Sequence, residues 1–125
     1  MTNEPHLAKK DLSHVNLATA NLSGADLHEA RLCDATLTET NLEGADLTEA
    51  DLTHANLGGA SLRNACAAHA NLEGADLRDA DLEGVNLRGA RLVGATLGDT
   101  ERAIAKLAGA DFAERGAEEG LASDQ

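Results

Sequence analysis

The sequence has no tryptophan and no tyrosine, and Phe112 is its one phenylalanine. Large rings supply much of the buried area in an ordinary globular core, so this chain must close its interior another way. Proline occurs once, as Pro5. Two cysteines, Cys33 and Cys66, are too few for a disulfide scaffold. No stretch approaches the roughly 18 apolar residues of a membrane-spanning helix. No basic, then apolar, leader opens the chain, and a cytoplasmic location is the expectation. Bases are scarce: 10 Lys and Arg face 22 Asp and Glu, a net charge of -12. Such a surface repels phosphate and argues against direct nucleic-acid binding, while it suits a basic protein partner. There is no GxSxG, Walker loop, HExxH or CxxC. Neither enzyme activity nor a cofactor is expected.

What is present is a period of five. Leucine returns at Leu27, Leu32, Leu37, Leu42, Leu47, Leu52 and Leu57. Two residues before each stands a small residue, nearly always alanine, and between them a short polar one, usually Asp or Asn. On an α-helix, at about 100° per residue, successive leucines would lie roughly 140° apart and form no stripe. On a flat strand an odd period sends them to opposite faces. The pattern works if the chain turns a corner every five residues. Alanine and leucine, two apart in an extended pentad, then point inward together. Four corners close a square coil of twenty residues, and stacked coils pair like parallel strands roughly 4.8 Å apart.

These residues closely resemble the pentapeptide-repeat family, whose motif is A(D/N)LXX, over residues 10–99, eighteen pentads without insertion. The resemblance implies an all-β fold, a right-handed quadrilateral parallel β-helix of about five coils. Some members of that family resemble B-DNA in size and charge and bind bacterial DNA gyrase, protecting it from quinolones or peptide toxins. The resemblance therefore implies a non-enzymatic module that presents acidic walls to a protein partner. DNA gyrase, or another basic DNA-binding protein, is the sharper alternative. A homodimer through the C-terminal end is a further expectation, because protective members pair there.

The expected organisation is an N-terminal cap at 1–9, the β-helix at 10–99, a C-terminal cap at 100–114 and a disordered tail at 115–125. The pentads first fail at Thr100. Residues 100–108 read as a short helix capped by Asp99 or Thr100 and ended by Gly109, with Ala103, Ile104 and Leu107 on its apolar face. A last irregular coil is the alternative, since Leu107 and Phe112 return to register. Gly24, Gly44, Asn64 and Gly84 share one corner column and suit the positive φ of type II turns. Corners ending in Glu, Asp, Thr or His are expected to avoid positive φ. Cys33 and Cys66 fall on adjacent walls with roughly 8–10 Å of axial offset, beyond disulfide reach, so both are expected free. Ala67 stands where leucine belongs, a packing defect.

The candidate partner surface is the run of acids Asp26, Glu29, Asp34, Glu39, Glu43, Asp46, Glu49 and Asp51, opposed in that stretch by Arg31 alone. Residues twenty apart stack, so Asp26 and Asp46 fall on one wall with Glu29 and Glu49 at its corner, and like charges at strand spacing repel. His14, Asp34 and His54 recur at one corner and read as a hydrogen-bonded surface ladder rather than a metal site.

Overall fold

The computed structural model describes residues 5–113; the first four residues and the expected tail at 115–125 lie outside them. Each corner is closed by one backbone hydrogen bond, from the amide of the small residue to the leucine carbonyl three positions back, as in Ala30 to Leu27 at 3.0 Å and Ala55 to Leu52 at 3.0 Å. Between corners the chain is extended and bonds to the coils on either side. Leu27 donates to the Asp46 carbonyl at 2.7 Å, and Asp46 donates to the Ala25 carbonyl at 2.9 Å.

The parallel bridges pair residues twenty apart and run in four ladders. The first wall carries His6, Asp26, Asp46, Cys66 and Asn86, and the second Asp11, Arg31, Asp51, Asn71, Arg91 and Asp111. The third carries Asn16, Thr36, Asn56, Asp76 and Thr96, and the fourth Asn21, Asn41, Ser61 and Asp81. This is the right-handed quadrilateral β-helix, and its pairing reaches back to His6, within the span 1–9 given to the N-terminal cap and at the point where Leu7 falls in register with the later leucines.

The small polar residue of the motif has a local task. Its side-chain oxygen accepts the backbone N–H two residues on: Asp46 from Thr48 at 3.0 Å, Asp51 from Thr53 at 3.0 Å and Asn56 from Gly58 at 3.0 Å. Asp and Asn make such a turn well and Ser and Thr more weakly, which accounts for the prevalence of Asp and Asn there.

The corner expectation is overturned. From Lys9 to Gly94 the last residue of every pentad has positive φ, including Glu29 (58°), Asp34 (59°), Glu39 (55°), Glu49 (59°), His14 (65°) and Thr19 (62°). Left-handed backbone costs an L-residue about 1–2 kcal/mol. The inter-coil hydrogen bonds on both flanks impose it whatever the side chain. Negative φ followed by positive φ makes every corner of the type II kind.

Inside the shaft, leucines and alanines from Ala25 to Ala95 are buried, Leu27, Leu37, Leu42, Leu47 and Leu57 completely, and Leu97 at the far end is half-buried. First-coil Leu7, Leu12 and Leu17 are half-buried, as the end of a stack must be. Thr40 takes an alanine site, fully buried, and its hydroxyl donates to the Leu17 carbonyl at 2.8 Å. Ala67 is buried within an unbroken ladder: Leu47 donates to the Cys66 carbonyl at 2.6 Å, and Ala67 donates to the Asn86 carbonyl at 2.7 Å.

The stack ends in helix α1, Asp99–Leu107. Its N-cap is Gly98, with extended backbone and no side-chain cap bond, so neither Asp99 nor Thr100 caps it as expected. Ala105 is its fully buried residue, Ile104 is half-buried, and Leu107 is 90% exposed. The expected apolar face of Ala103, Ile104 and Leu107 is therefore rotated. With Ala105 against the shaft, Leu107 lies about 200° around the helix from it. The chain then rejoins the second ladder, where Leu92 donates to the Asp111 carbonyl at 2.8 Å and Asp111 to the Ala90 carbonyl at 2.7 Å. Helix and returning coil are both present, in sequence. Arg102, in helix α1, places its guanidinium 4.8 Å from the Phe112 ring centroid, a cation–π contact.

Leu57→Ala should destabilise by about 2–5 kcal/mol, whereas Leu107→Ala should stay within about 0.5 kcal/mol; urea titrations compare them. Ala67→Leu should raise stability by about 0.5–2 kcal/mol, and a lower Tm would show the space already filled. A Cβ at Gly44 (φ 70°) meets nothing within 4 Å, while one at Gly74 (φ 68°) would enter the His54 ring. Gly44→Ala should therefore cost only the backbone strain, about 1–2 kcal/mol. Gly74→Ala should cost more, and His54→Ala in the same chain should return it to the Gly44→Ala value.

Candidate functional site

The eight acids singled out in the sequence do not share one wall. Asp26 and Asp46 lie on the first ladder, Glu29 and Glu49 at the corner that follows it, and Asp51 at the start of the second. These five line one edge of the rod in the second and third coils. Asp34 and Glu39 stand at the next two corners, and Glu43 precedes the corner residue Gly44. A period of five in a square of four distributes neighbouring pentads around the shaft, so acids close in sequence face different directions.

Their tasks also differ. Asp26, Asp46 and Asp51 occupy the ladder position and hold the amide two residues on. The Thr53 hydroxyl adds a second donor to Asp51 at 2.5 Å. Glu29, Asp34, Glu39 and Glu49 occupy left-handed corners, where the backbone favours glycine. Neither the ladder nor the turn calls for a glutamate there.

Ion pairing separates the two ends of the rod. The acids of the later coils are matched: Arg63 of the third coil donates to Asp81 at 3.1 Å and Glu83 at 3.2 Å, Arg78 to Asp76 at 2.7 Å, and Arg91 lies 3.7 Å from Glu73. The Arg78 guanidinium holds the Asp76 carboxyl below its ordinary range. Among the described residues, none of Glu29, Asp34, Glu39, Glu43, Asp46, Glu49 and Asp51 makes an ion pair. Arg31, the one base of that stretch, lies 4.0 Å from Asp11 in the coil before.

The unpaired edge carries one imidazole. His28 Nδ1 lies 2.7 Å from Asp26 Oδ1. The hydrogen bond to Asp26 raises the His28 pKa, and the same bond lowers that of Asp26. Asp46 joins them: one ligand-type atom from each of Asp26, His28 and Asp46 lies within 4.8 Å of the other two. The expected ladder of His14, Asp34 and His54 does not form; among the described residues no hydrogen bond links them. The corner side chains lean along the axis toward the next coil, so that the His54 ring lies over Gly74.

The walls are not uniformly flat. Gly58 and Gly59 leave a notch of about 390 Å³ on the third wall, bordered by Thr38, Glu39, Asn56, Asp76, Arg78 and Asp79. Neither this notch nor the Asp26–His28 and Asp76–Arg78 pairs were expected from the sequence. The pairs have a readable signal: a ladder residue and the side chain two positions on meet at the turn. Cys33 and Cys66 are free thiols, as expected. Cys33 donates to the Ser13 hydroxyl at 3.1 Å, and Cys66 lies 3.3 Å from the Thr48 hydroxyl. No helix among the described residues is long and apolar enough to cross a membrane.

Comparison with known proteins returns the same architecture. The family model for pentapeptide repeats matches residues 6–38, 34–66 and 67–99. A solved pentapeptide repeat protein, Rfr23 from the cyanobacterium Cyanothece 51142, is similar at 37% identity with a TM-score of 0.73, covering 74% of this chain and 64% of that one. One from the Arabidopsis thaliana thylakoid lumen is similar at 31% identity and a TM-score of 0.61, covering 79% of this chain and 72% of that one. HetL of Nostoc sp. strain PCC 7120, described as involved in heterocyst differentiation regulation, aligns at 36% identity and a TM-score of 0.50, covering 74% of this chain and 41% of that one. The chain thus spans less than two thirds of the length of Rfr23 and of HetL. The search of curated proteins gave no match. The leucine ladders, the left-handed corners and a repeat match running from the first wall to the helix agree: the chain belongs to the pentapeptide-repeat family.

Proposed function

We propose that the protein is a non-enzymatic binding module whose second and third coils present a rigid anionic edge to a basic protein partner. The observation that carries this reading is the uneven pairing of acids. Asp76, Asp81 and Glu83 are matched by arginines, while Glu29, Glu49 and Asp51 are not. Unmatched like charges at strand spacing repel one another, and a cationic partner relieves that repulsion. The backbone that carries them is bonded to coils on both sides and has little to reorganise on binding.

DNA gyrase, or another basic DNA-binding protein, is the sharper form of the same reading, supported by the net charge of -12 and the rod shape. A cytoplasmic location belongs to the proposal, and the two free thiols suit a reducing compartment. Self-association through the C-terminal end would use the exposed Leu107 of helix α1.

Affinity capture from host lysate should retain a basic protein at low salt and release it at high salt. Glu29→Gln with Glu49→Gln should weaken that capture, because neither side chain supports the fold and the charge is what the partner reads. A supercoiling assay then separates the two forms. Inhibition or protection of gyrase that the double variant reduces supports the sharper one, and an unaffected enzyme removes it. Capture that ignores both salt and the double variant would refute the anionic edge.

A further inference from the structure

Asp26, His28 and Asp46 bring two carboxylates and an imidazole nitrogen to one point of that edge, and we propose that they form a binding site for a borderline divalent cation of the Zn²⁺ class. The ladder brings them together. Asp26 and Asp46 are bridged partners in the second and third coils, stacked one above the other on the first wall. His28 follows Asp26 by two residues, and its side chain turns back to the same spot.

The ligand atoms are held by the fold. Asp26 Oδ1 accepts the His28 backbone N–H at 3.3 Å, and Asp46 Oδ1 accepts that of Thr48 at 3.0 Å. Each carboxylate is thereby fixed by one oxygen while the other remains available. The three ligand-type atoms already lie within 4.8 Å of one another. Zinc takes nitrogen and oxygen at about 2.0–2.2 Å, so closure around the ion needs a shift of about 1 Å in side chains that are half-buried or exposed.

The donor set selects the metal. Imidazole with carboxylate suits Zn²⁺, Ni²⁺ or Co²⁺, whereas Ca²⁺ and Mg²⁺ require a shell of oxygens. Three protein ligands leave the remaining positions to water. The ion would take the place of the proton between His28 and Asp26, and it would give Asp46, which has no ion pair among the described residues, a counter-charge. The corner set His14, Asp34 and His54 contains the same residue types without this convergence and serves as an internal control.

The test is calorimetry of the tag-free full chain with ZnCl₂, with Co²⁺ absorbance as a second readout, in wild type, His28→Ala, Asp46→Asn and His54→Ala. One ion should bind per chain. His28→Ala and Asp46→Asn should each weaken binding roughly tenfold or more, His54→Ala should leave it unchanged, and excess Mg²⁺ should not compete. His28 lies outside the left-handed corner position, and Asp46→Asn keeps an acceptor for the Thr48 amide, so both variants should melt like wild type without metal. Absence of Zn²⁺ binding overturns the proposal. So does binding that both variants leave intact, or binding that His54→Ala weakens equally.

Discussion

The right-angle corner is the constraint on which this molecule depends. One leucine carbonyl takes one amide three residues on, and the second of the two residues between is driven to positive φ. That geometry directs the next pentad along the adjacent wall, and four repetitions return the chain above its starting point. Leucine burial, ladder pairing and the placement of every charge follow from it. At corners occupied by Glu, Asp, His or Thr the turn is held against local preference, which places the stabilising energy in the inter-coil bonds and the leucine shaft.

The period-five leucines made the shaft, its four ladders and the free thiols legible in the sequence, because a single repeated residue both fills the interior and sets the register. The sign of φ at Glu29, Asp34 or His54 was not legible. Residue preference argues against left-handed backbone there, and only the assembled stack enforces it. The orientation of helix α1 was hidden for a related reason. Ile104 and Leu107 are the larger apolar residues, but the narrow end of the shaft accepts Ala105, leaving Leu107 in solvent.

The candidate surface was legible in part: the register of twenty stacks Asp26 on Asp46 and sets Glu29 and Glu49 at the corner beside them, as the ladders have it. The square path sets Asp34, Glu39 and Glu43 toward the other corners, apart from that edge. What the structure adds is a division of labour. Asp at the ladder position is partly architecture, since it holds an amide at the turn. Glu at a corner is neither architecture nor a backbone preference, and so it is the more informative charge. Arg63, Arg78 and Arg91 settle Glu73, Asp76, Asp81 and Glu83 of the later coils and leave the acids of the second and third without an arginine.

Because every bridge spans twenty positions, the molecule has the logic of a ruler. Adding or deleting one whole turn of twenty residues would alter its length by roughly 4.8 Å while every remaining neighbour kept its partner. Spacing between surface features on such a rod can drift in evolution by quantised steps, without any redesign of the interior.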